Sequence, residues 1–140
     1  MTTRRTLAAA ALAASTLATL ALGTGSAHAV TSGIYCGATQ QFAGDVYAQA
    51  CVSVSGTSVF PLLHVTNHGN HAITGVVWVN HLGSYEDYNT CYGMTASDPG
   101  SWCNAGWDPI GAGGYAQAQG QLVIDGSWSG KVFSPSEYIG

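Results

Sequence analysis

This 140-residue sequence predicts an all-β fold, a small antiparallel β-sandwich of immunoglobulin-like type with two disulfides. Three observations lead there. Beyond about residue 30 the 3.6-residue period of an amphipathic helix is almost absent. Apolar residues come instead in short runs, broken by Gly, Asn, Asp and Ser clusters that mark turns. The four cysteines, Cys36, Cys51, Cys91 and Cys103, all fall in this part, and an even count in a small exported chain favours a disulfide framework.

The first element is not part of that fold. Arg4 and Arg5 open a basic stretch, residues 7–22 carry no charge and are mostly Ala and Leu, and Ala27-His28-Ala29 follows the small-x-small pattern of a cleavage site. Residues 1–29 read as a secretory signal peptide. The apolar run is shorter than the ~20 residues that span a bilayer. Paired arginines leave both the general secretory and the twin-arginine routes open. Of 140 residues, removal of 29 leaves 111, enough for a single domain over 30–140.

Strands are expected at 34–42, 46–54, 58–66 and 72–80, with Asn67-His68-Gly69-Asn70 as a hairpin turn, because Asn and Gly tolerate positive φ. Residues 82–112 read as a long ordered loop, holding at most one short strand. They contain Asp98-Pro99-Gly100 and Asp108-Pro109 and are pinned by a disulfide. A last hairpin, 115–125 and 127–133, turns at Asp125-Gly126 and leaves a loose tail from 134. Pairings Cys36–Cys51 and Cys91–Cys103 are expected, each closing a short loop worth on the order of 3 kcal/mol. A zinc-thiolate site is not expected, since no C-x-x-C pair occurs.

Charge excludes several functions. Without the leader, Lys131 is the sole strong base against seven acids, a net charge of −6 with neutral histidines. One lysine cannot supply a phosphate-binding face, so neither nucleic acid nor an anionic membrane is an expected partner. His64, His68, His71 and His81 lie close in sequence. With the hairpin assumed, His64 falls opposite about position 75, and one four-histidine site does not form; they read as exposed polar residues, with no metal or cofactor expected. Glu86 and Asp87 are adjacent acids, with Asp98 or Asp108 as conceivable partners, but no pair has the secured spacing of a glycosidase and no G-x-S-x-G elbow occurs. The chain therefore reads as non-catalytic.

The candidate site is aromatic. Tyr85, Tyr88, Tyr92, Trp102 and Trp107 fall in the braced segment, and such side chains bring large contact area at low entropic cost. Trp78 and Trp128, on strands, are expected in the core. The reading that follows is a secreted protein-binding domain, an adaptor or accessory subunit of an extracellular assembly, with antagonism between microbes as one setting. A carbohydrate-binding module using Tyr85, Trp102 and Trp107 is an alternative. The Ala-rich leader and Gly/Ala-rich composition suit a high-GC actinobacterial source.

One stretch, Cys103-Asn104-Ala105-Gly106-Trp107-Asp108-Pro109-Ile110, resembles the reactive-site loop of the Streptomyces subtilisin inhibitor family. Residues 122–132 are similar to the strand pair that follows it there, and Cys36 to Cys51 has that family's first-disulfide spacing. The resemblance implies a serine-protease inhibitor with Ala105 and Gly106 at the scissile positions and an extracellular protease as partner. The family's strands before the first cysteine and its last cysteine are missing, so Cys103 would have to pair with Cys91.

Overall fold

The computed structural model describes residues 29–94 and 100–140, so the expected signal peptide lies almost wholly outside the described residues. Among the described residues ten strands form two antiparallel sheets packed face to face. The first sheet holds β1 (Gly33–Cys36), β2 (Gln40–Gln41), β3 (Val46–Ser55), β4 (Ser58–Asn67) and β7 (Ser101–Asn104). The second holds β5 (Ile73–His81), β6 (Ser84–Cys91), β8 (Gly114–Ile124), β9 (Ser127–Phe133) and β10 (Glu137–Ile139). The all-β sandwich and both disulfides, Cys36–Cys51 and Cys91–Cys103, are as the sequence predicts. In the immunoglobulin order the chain changes sheets after its second strand. Here β1/β2, β3 and β4 run as a meander, and the chain crosses only after β4.

Alternation makes the core. Along β4 every second residue is buried, and along β5 Ile73, Gly75, Val77 and Val79 point inward. Leu63 reaches across between the sheets into space left by two glycines: a Cβ on Gly75 would lie 3.2 Å from its side chain, and one on Gly120 would lie 2.6 Å from it. The disulfides differ in kind. Cys36 and Cys51 are direct neighbours on β1 and β3, within one sheet. Cys91 and Cys103 join β6 to β7, one sheet to the other.

Four expectations are corrected. Residues 67–72 are not a hairpin but the corner where the chain leaves one sheet for the other. Both edges of β4 are taken, by β3 and β7, so β5 has no place beside it. Buried Asn67 holds the corner: its Nδ2 donates to the His71 carbonyl (2.9 Å) and its Oδ1 accepts from Gly69 N–H (3.2 Å). The expected loop at 82–112 contains two strands, β6 and β7. Leu82 and Gly83, with φ of 51° and 84°, close a two-residue hairpin from β5 into β6 that carries no Asn-Gly signal. The tail is not loose: β10 pairs with β8 and buries Ile139 completely. The first strand is interrupted, β1 and β2 pairing in turn along one edge of β3.

Those interruptions blunt the sheet edges. β9 and β10 likewise pair in turn along β8, separated by Ser134-Pro135-Ser136. β7 has four residues. β6 is bulged between Trp78 and Val79 of its partner, and there it carries Glu86 and Asp87, the latter at φ 31°. Short, bulged or charged edges resist strand addition, which leaves the outer faces as the contact surfaces.

Candidate functional site

The outer face of the second sheet is assembled in rungs of cross-strand neighbours. Thr74, Val123 and Trp128 form one rung; Thr90, Val76, Gln121 and Lys131 the next; then Tyr88, Trp78, Gln119 and Phe133; then Tyr85, Asn80 and Gln117. Strand alternation puts these side chains on the side away from the core. Tyr115 and Tyr138 extend the face, their rings 5.3 Å apart at 65°.

Across the first two rungs lies a groove of about 410 Å³. Trp128 and Tyr92 line it with Thr74, Val76, Thr90 and Val123. Its lining is mainly apolar, and its two aromatic rings come from opposite edges of the sheet. Next to it stands Lys131, whose Nζ lies 5.1 Å from the Trp78 ring centre and 5.9 Å from that of Tyr85. This geometry holds an ammonium over the negative faces of two rings, themselves edge-to-face at 6.1 Å. The glutamines already donate within the face: Gln117 Nε2 to the Ser134 carbonyl, Gln119 Nε2 to Gln117 Oε1, and Gln121 Nε2 to the Ser129 carbonyl.

None of the rung positions of this face is an acid. Asp125 is at the β8–β9 turn, where its carboxylate accepts from His71 Nδ1 (2.6 Å) and from Ala72 N–H (2.9 Å). These bonds, the one to His71 foremost, hold its pKa below the usual range. Asp108 lies at the opposite end of the sandwich, where burial, then Glu86 and Asp87, raise its pKa while His81 opposes them. Asp98 is outside the described residues.

The five expected aromatics are all exposed, but they are not one site. Tyr85, Tyr88 and Tyr92 belong to the second sheet's face. Trp102 and Trp107 lie on the first sheet, Trp102 against His64 (4.4 Å between ring centres) and Trp107 against Phe60 (5.2 Å). Trp78 and Trp128, expected in the core, are on the outer face: Trp78 is half-buried and Trp128 is 65% exposed. Alternation could have shown this. Trp78 falls out of step with Val77 and Val79, and Trp128 falls opposite Val123 beside inward Leu122 and Ile124.

The histidines disperse once the hairpin is replaced by a corner. His64 pairs with Gln49 and Trp102, His68 meets the Tyr47 ring, and His71 bonds Asp125. Among the described residues no three His, Cys, Asp or Glu side chains gather as metal ligands do. In the stretch resembling an inhibitor's reactive loop, Ala105 is 5% exposed. The backbone just after it is tied inward, Asp108 and Val59 exchanging two N–H···O bonds of 2.8 and 2.9 Å. Comparison with protein-family models, with curated proteins and with solved structures finds no match for this chain.

Proposed function

We propose that this chain is a secreted, non-catalytic binding domain, an adaptor or accessory subunit of an extracellular assembly, and that it engages another secreted protein through the outer face of the β5–β6–β8–β9 sheet. The observation that carries the reading is the grouping of exposed Tyr85, Tyr88, Tyr92 and Trp128 on one face around a groove and a lysine. Protein contact sites combine aromatic anchors, a pocket and few charges in this way. Two disulfides fit the oxidising conditions outside a cell.

Two other readings have less support. A carbohydrate module needs polar groups free to grip hydroxyls beside its stacking rings, and here three amides already donate to the face and the groove floor includes two valines. An inhibitor offers a protruding loop whose scissile residue enters the protease, and Ala105 is turned into the sandwich.

The test is capture from native culture supernatant with the wild-type domain, Tyr92→Ser/Trp128→Ser and Trp107→Ala, followed by mass spectrometry. The expected result is a stoichiometric partner bound by wild type and by Trp107→Ala and lost with the double variant. A partner retained by all three, or none at all, overturns the reading. Retention on insoluble chitin or cellulose that depends on the same two rings would replace it with the carbohydrate module.

A further inference from the structure

The face also indicates what chemistry its partner presents. The sequence after residue 29 is acidic, yet its strong base, Lys131, reaches from β9 over Trp78 of this face, whereas Asp125 and Asp108 stand at the two ends of the sandwich and Glu86 and Asp87 at the bulge of edge strand β6. A second copy of the chain is a poor occupant. In a two-fold pair the Lys131 of each copy would meet a face whose rungs offer no carboxylate, and two net-acidic domains repel. A partner that offers a carboxylate there is complementary.

The rungs set the spacing. Trp128 and Lys131 are successive outward residues of β9 on neighbouring rungs, separated by the bulge opposite Leu122. Same-face neighbours along a strand lie on the order of 7 Å apart. Tyr92 and Trp128 stand on opposite sides of the groove, with Val76 and Val123 between them, so a chain lying in it runs along the strand direction. An extended segment seated there places one side chain between the two rings. Its next same-face side chain arrives over the rungs where Lys131 meets Trp78.

We infer that the groove takes an extended polypeptide segment with a large apolar side chain at one position and a carboxylate two positions away. The apolar group is held between Tyr92 and Trp128, and the carboxylate pairs with Lys131. This rests on the reading of the face as the binding surface and goes beyond it by naming the partner's chemistry. Aromatic burial supplies most of the affinity, and the exposed ion pair supplies selectivity.

The experiment uses two capped pentapeptides with a central apolar anchor: tryptophan followed two positions on by glutamate, and the same peptide with lysine there. Each is titrated into the isotope-labelled full domain and followed by chemical-shift changes. The expected result is perturbation of Val76, Thr90, Val123 and the Trp128 indole, with the glutamate peptide binding roughly fivefold more tightly than the lysine peptide at low salt. Lys131→Glu should invert that preference, and Trp128→Ser should remove both responses. Equal affinity of the two peptides overturns the acidic partner while leaving the face as a binding surface. No response from either peptide overturns the segment proposal, and supernatant capture still decides the face. Perturbation by chitohexaose or cellohexaose with both peptides silent overturns the two together.

Discussion

The two outer faces of the sandwich carry comparable exposed aromatics and put them to different use. On the first sheet, Trp102 lies across His64 and Trp107 across Phe60, so each indole spends one face on a neighbour of its own sheet. Both stay about half exposed, with no groove formed between them and their neighbours among the described residues. On the second sheet, Trp128 and Tyr92 line an open groove, and Trp78 and Tyr85 hold a cation. Exposure alone does not separate the faces. Arrangement around a cavity and a charge does.

The disulfides offer the strongest way to break this comparison. Cys91–Cys103 closes a separation of 12 residues, and Cys36–Cys51 one of 15, so loop entropy makes each worth about 3 kcal/mol. Replacing Cys91 and Cys103 together with Ala should lower the unfolding midpoint, measured by calorimetry, by roughly 10 °C or more. It should also weaken capture, because this bond pins the end of edge strand β6 directly to the other sheet, and Tyr92 follows directly after Cys91. Replacing Cys36 and Cys51 should cost similar stability and leave capture by the folded protein unchanged. If both pairs affect capture equally, the binding surface is not confined to one face.

Single aromatics sharpen it next. Trp128→Ala should weaken partner binding at least tenfold, with little change in unfolding midpoint, since the ring is mostly in solvent. Trp107→Ala should do the reverse. Loss of the Phe60 contact removes about 0.5–1.5 kcal/mol of stability, read in a denaturant titration, and binding stays as it was.

How far the sequence disclosed these faces depended on range. Local signals were reliable. Asp125-Gly126, with φ of 49° and 83°, closes the hairpin expected there, and both short-range cysteine pairings hold. Signals whose meaning depends on a partner strand point the wrong way. Asn67, Gly69 and Asn70 have hairpin chemistry, but whether a turn joins strands of one sheet or of two depends on β3 and β7 already occupying both edges of β4. β6 leaves no strand signature in the sequence because it is an exposed edge strand with no buried alternation to display, its Tyr, Glu, Asp and Asn facing solvent on both sides. The aromatic site was half legible. The tyrosines show in the sequence as a cluster, but Trp78, Trp128 and Lys131 join them only through the register of β5, β8 and β9.

The smallest effects concern the two ends of the sandwich, away from either face. Asp125 has a pKa lowered by its bonds to His71 and Ala72, so the folded state favours its ionised form. Its contribution is present above the ordinary carboxylate range and is lost as pH falls through the lowered value. Asp108 is raised, chiefly by burial and then by Glu86 and Asp87, so its ionised form opposes folding and protonation relieves it. Asp125→Asn should therefore lower the unfolding midpoint slightly at neutral pH, the difference from wild type closing in strong acid. Asp108→Asn should raise it slightly at neutral pH, the gain closing as wild-type Asp108 takes up its own proton. Thermal unfolding across pH 3 to 7 reads both signs. Neither change should alter capture at fixed pH. If Asp125→Asn does, the corner it ties to the β8–β9 turn positions Trp128, three residues further on, and the site reaches beyond the sheet face to the end of the sandwich.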